Sequence, residues 1–63
     1  MIDQTAEELI YLGNRAAEQG DDALARWLYE EGLAIWVALD FQPGIAHLRQ
    51  RLERLARKGE RNH

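Results

Sequence analysis

Apolar residues recur at spacings of three and four along most of the chain, the period of helices that bury one face. In the first segment Ile2, Ala6, Leu9, Gly13 and Ala16 form a stripe, widened by Ile10 and Ala17. Thr5-Ala6-Glu7-Glu8 fits a capping box, so the spacing predicts a helix over about 4–19. Gly13 sits inside it, where glycine costs about 1 kcal/mol against alanine. Close approach of a second helix is the expected compensation.

The second segment predicts a helix over about 22–40. Leu24, Leu28, Ile35 and Leu39 form one stripe, and Ala25, Tyr29, Gly32 and Trp36 another. Trp27 and Trp36 lie half a turn apart in angle, so they point to opposite sides. A helix apolar on two sides is covered twice, by chain neighbours or by another subunit. The third segment, about 43–58, carries a narrow seam of Ile45, Leu48, Leu52 and Leu55 on a polar helix and reads as a cap.

Punctuation agrees with three helices. Gly20-Asp21 reads as a left-handed stop followed by an N-cap. Asp40-Phe41-Gln42-Pro43-Gly44 is a second break, with Pro43 suited to a first helical turn, and Gly59 suits a third terminus. Alternation with β-branched residues is nearly absent, so the fold class is all-α.

At 63 residues the chain accommodates one small domain, spanning 1–63. Such a chain buries only about 60 % of its unfolded surface. Cysteine is absent, which excludes disulfides and thiolate metal sites, so self-association is the expected source of further burial. Met1-Ile2-Asp3-Gln4 has no basic residue of a leader, and the longest apolar run, Leu33–Leu39, is too short to span a bilayer. The expectation is a cytoplasmic protein with no membrane contact.

Charge is segregated. Residues 1–46 hold two basic residues against nine acids, and residues 47–63 hold six against two. Arg51, Arg54 and Lys58 share a side of the third helix, which makes a small helical nucleic-acid-binding protein the alternative reading. The plain reading is a solvated face that complements the helix dipole. The acidic first two segments make nucleic acid the less favoured partner.

Catalytic constellations are poor. Serine and cysteine are absent, and lysine occurs once, at Lys58. His47 has no acid at helical spacing before it, and His63 ends the chain. The neighbouring acids Asp21-Asp22 and Glu30-Glu31 diverge by about 100° on a helix and cannot pair. The expectation is a non-enzyme with no catalytic residue, no metal and no cofactor.

A weak internal repeat relates Leu12 to Leu52 and Gly20 to Gly59. Within it, Leu9-Ile10-Tyr11-Leu12-Gly13-Asn14-Arg15-Ala16 resembles the first helix of a tetratricopeptide repeat with its Leu-Gly pair. Gly20-Asp21 resembles the inter-helix turn. Ala25, Tyr29 and Gly32 fall where the second repeat helix carries small, aromatic and small residues, within Trp27-Leu28-Tyr29-Glu30-Glu31-Gly32-Leu33-Ala34-Ile35. Leu39-Asp40 to Gly44-Ile45-Ala46 resembles the linker of longer bacterial repeats. The resemblance covers residues 6–58 and implies one repeat, a helical hairpin with antiparallel helices, plus a capping helix. Val37 departs from the proline that often ends the second helix, and Glu53 from the glycine a second repeat would carry.

The resemblance implies a protein-binding module. Its concave face would comprise Ile10, Asn14, Ala17 and Glu18 with His47, Gln50, Arg51 and Arg54. The basic row would favour an acidic peptide or a C-terminal carboxylate. A single repeat leaves apolar faces open, so a homo-oligomer is expected, most simply a two-fold dimer. Leu9, Tyr11, Leu12, Trp27, Trp36 and Phe41 are the candidate interface residues.

Overall fold

The computed structural model describes residues 4–61. Ile2, expected on the first apolar stripe, and His63 lie outside the described residues. Three helices are present, α1 (Ala6–Glu18), α2 (Asp22–Ala38) and α3 (Gln42–Arg61). No strand occurs among the described residues.

Local signals set the helix starts. The Thr5 hydroxyl accepts a hydrogen bond from the Glu8 amide at 3.1 Å, and the Asp21 carboxylate accepts from the Leu24 amide at 3.2 Å. Each satisfies one of the amides that a helix start leaves without an intrahelical partner. Pro43 falls in the first turn of α3, where its missing N–H costs no ladder bond.

Both connections between helices use one hydrogen-bond pattern. After α1, Gly20 donates to the Ala17 carbonyl and Asp21 to that of Ala16. After α2, Asp40 donates to Val37 and Phe41 to Trp36. This is the Schellman closure, which needs a left-handed residue at its centre. Gly20 supplies it at φ 83°, and Asp40 does so at φ 53°. A non-glycine there is held at a cost of about 1–2 kcal/mol; the Asp40 carboxylate accepts from the Gln42 side chain at 2.7 Å.

Two boundaries differ from the expected ones. Helix α2 ends at Ala38 rather than 40, because Asp40 turns left-handed and Leu39 becomes the C-cap. Gly59 does not end α3, which continues to Arg61. No N-cap follows Gly59 as Asp21 follows Gly20, so nothing competes with the continuing ladder.

Contacts on α2 climb as those on its neighbours descend, so both pairs run antiparallel. Gly13 meets Tyr29, and Leu9 meets Gly32, across α1 and α2. Trp36 meets Gly44, Gly32 meets Leu48, and Asp22 pairs with Lys58 across α2 and α3. The core is Leu9, Ala16, Ala25, Leu28, Tyr29 and Leu48, with Leu33, Leu52 and Leu55 packed on it. Leu48 is fully buried; truncating such a leucine to alanine costs about 2–5 kcal/mol.

Gly13 does permit close approach, but to a side chain. A Cβ at Gly13 would stand 2.6 Å from the Tyr29 ring, so this ring occupies the space across from it. Gly44 likewise faces the Trp36 indole, where a Cβ would stand at 2.7 Å. Trp36 packs on Phe41 with centroids 4.7 Å apart, and its Nε1 is buried without an acceptor. No helix among the described residues is long and apolar enough to cross a membrane.

Candidate interaction surfaces

Asn14 is the hub of the polar surface between α1 and α3. Its Oδ1 accepts from the Tyr29 hydroxyl at 2.5 Å and from Arg51 Nη1 at 3.1 Å. Arginine only donates, so the carbonyl end of the amide must face this pair. Both acceptor positions are then occupied, and among the described residues the Asn14 amide N–H groups have no hydrogen-bond partner. Arg51 Nε reaches His47 Nε2 at 3.4 Å, extending the network along α3. Arg51 makes no ion pair among the described residues, so its charge is uncompensated at close range.

These contacts gather most of the expected concave face. Asn14, Ala17, Glu18, Tyr29 and Arg51 line one shallow depression. Ala17, Tyr29 and Arg51 continue into a second with Arg54, Leu55 and Lys58. His47 joins through Arg51. Ile10 is half-buried and packs on the core, and Gln50 is exposed; neither lines these depressions. Sequence reasoning assigned Tyr29 as aromatic bulk and missed its hydroxyl. The signal was available: a tyrosine in place of phenylalanine inside a core must find a partner for its O–H.

The six expected interface residues do not form one patch. Leu9 is a core residue, 4 % exposed, because its stripe faces α2; this corrects its assignment to a subunit interface. Trp36 is half-buried against Phe41 and α3, which likewise places it inside the fold; Phe41 remains 45 % exposed at the turn. Tyr11 is exposed, but its hydroxyl accepts from Arg15 at 3.1 Å within a separate depression. That hydrogen bond pushes the Arg15 pKa further up.

Leu12 and Trp27 remain as exposed apolar residues, at 36 % and 56 %. Trp27 stands at the edge of a groove between α1 and α2, floored by Leu9, Ala34, Ile35 and Ala38 and bordered by Glu31. Leu24, 44 % exposed, is one turn before Trp27 on the same side. A second groove runs between α2 and α3. Ala23, Arg26, Glu30, Leu52, Leu55, Ala56 and Gly59 line it, with Asp22. Thus α2 borders two open grooves, besides the two helices it packs against.

No group of three or more His, Asp or Glu residues among the described residues is placed to hold a metal ion. Comparison with known proteins finds no matching family model, no matching curated protein and no matching solved structure.

Proposed function

We propose that this chain is a non-enzymatic protein–protein interaction module of tetratricopeptide-like build. It self-associates as a homo-oligomer through an apolar helix face. It docks an acidic or carboxylate-terminated peptide on the surface around Asn14 and Arg51. The observation that carries this reading is the Trp27 stripe. A tryptophan more than half exposed beside an apolar groove loses unfavourable hydration when another surface covers it.

The Asn14 network supports the peptide role. Tyr29 and Arg51 fix the Asn14 amide, leaving its donors beside the uncompensated guanidinium. Such a pair of donors suits a carboxylate, and charge-assisted hydrogen bonds are the stronger kind. The nucleic-acid alternative has less support. Arg57 pairs with Glu53, and Lys58 with Asp22, so part of the basic row is already answered internally.

Sedimentation of the wild type and of Trp27→Glu at micromolar concentration tests self-association. The expected result is an oligomer for the wild type and a folded monomer for the variant. A stable folded monomer for the wild type would refute self-association. Titration with an acidic peptide, and with the same peptide amidated at its C-terminus, tests docking. Loss of binding in Arg51→Met is expected.

A further inference from the structure

We propose that the peptide docked by this chain carries a phosphorylated side chain, and that the depression formed by Arg51, Arg54 and Lys58 receives its phosphate. The inference rests on the docking reading and names the group that is bound. Ala17, Tyr29 and Leu55 complete this depression, and no acidic residue lines it. Arg54 follows Arg51 by three residues and Lys58 follows Arg54 by four, which puts the three cations within about 60° of one another around α3.

Charge decides between a carboxylate and a phosphate. Arg51 and Arg54 are in no ion pair among the described residues, and Lys58 is shared with Asp22 at 3.4 Å. Three cations against that one carboxylate leave a surplus of two positive charges. A carboxylate ligand answers one of them. A phosphate monoester carries about −1.5 to −2 near pH 7 and presents three acceptor oxygens. Guanidinium forks pair with such oxygens two at a time. Glu18 lines the adjoining depression and not this one, so the Arg54 side is the more favourable place for a doubly charged group. The aliphatic side chains of Ala17 and Leu55 beside the cations keep part of the site from water, which strengthens the attraction.

The neighbouring surface suits a peptide chain. The depression shares Ala17, Tyr29 and Arg51 with the one that contains Asn14. The Asn14 amide N–H groups have no partner among the described residues and suit the backbone carbonyls that flank a phosphorylated residue. A nucleic-acid strand carries one charge per phosphate and is met by cations that track its backbone. Here the cations converge on one depression, and Arg57 of the same helix is paired with Glu53.

Titration of a short, fluorescein-labelled acidic peptide in three forms tests the proposal: phosphoserine, glutamate or serine at its centre, with the flanks unchanged and the C-terminus amidated. The phosphoserine form is expected to bind about tenfold more tightly than the glutamate form, as one further charge-assisted hydrogen bond gives. Arg54→Gln is expected to remove that preference. Arg49→Gln, at an exposed position outside both depressions, is expected to keep it. Circular dichroism checks that each variant is helical, and Lys58→Gln replaces Arg54→Gln if the latter fails to fold. Equal affinity for the phosphoserine and glutamate forms overturns the phosphate assignment and leaves docking intact. A preference that survives in Arg54→Gln overturns the site. A single-stranded oligonucleotide that binds more tightly than the phosphoserine form overturns the peptide as occupant. If no form binds, with its C-terminus free or amidated, both readings fail.

Discussion

On the flank of α1 that faces α3, Asn14 receives hydrogen bonds from two other helices, through Tyr29 and Arg51. On the flank of α2 away from α3, Leu24 and Trp27 stand in water beside a groove that no part of the described chain fills. The same two helices build both surfaces. The first is cross-braced: its polar groups are positioned by the fold, which would lower the entropy lost in the proposed docking. The second is unbraced apolar area, whose free energy is released only when a partner covers it. The two surfaces thus differ less in location than in how much of their interaction is already made within one chain.

The braced side is broken most severely at Gly13. Valine there would drive its Cβ into the Tyr29 ring, where the available distance is 2.6 Å. The expected loss is about 3 kcal/mol, the upper range for overpacking a tight core, read as a fall in the urea midpoint. A stability equal to wild type would show that the ring is not held against α1.

A milder cut sharpens the same comparison. Tyr29→Phe keeps the ring and deletes the donor to Asn14, at an expected cost of about 1 kcal/mol. Peptide affinity should fall with it, since Asn14 is then oriented by Arg51 alone. Unchanged affinity would detach the brace from the binding role.

The smallest effect on fold stability is expected on the open side. Trp27→Ala should change monomer stability by less than about 0.5 kcal/mol, as for surface positions generally. Chemical denaturation at a concentration below assembly measures this. A large loss would mean that the indole is part of the core.

The periodicity made the three helices legible, and the capping residues Thr5 and Asp21 made two helix starts legible, because these features act within a few residues. The second turn was harder to read. Its left-handed position holds Asp40, so the likeness to the Gly20 turn is visible in hydrogen bonds and not in residue type. Gly59 misled in the opposite sense, since a glycine stops a helix only where the following residues reward the stop. Of the residues that the resemblance groups on a concave face, Asn14, Ala17, Glu18, Arg51 and Arg54 line adjoining depressions, while Ile10 and Gln50 do not. A hydrophobic stripe does not say which of its members another helix of the same chain will cover. Leu9 and Trp36 went inward on that account, while Trp27 stayed out.

The divergence of the two tryptophans also equips the molecule with paired optical probes. Trp36 has a shielded indole N–H and an aromatic neighbour, so it should emit at shorter wavelength and respond to unfolding of the α2–α3 turn. Trp27, in water, should emit further to the red and shift when a second surface excludes solvent from it. Replacing either with phenylalanine leaves a single fluorophore, so that folding and association can be followed as separate signals in one unlabelled chain.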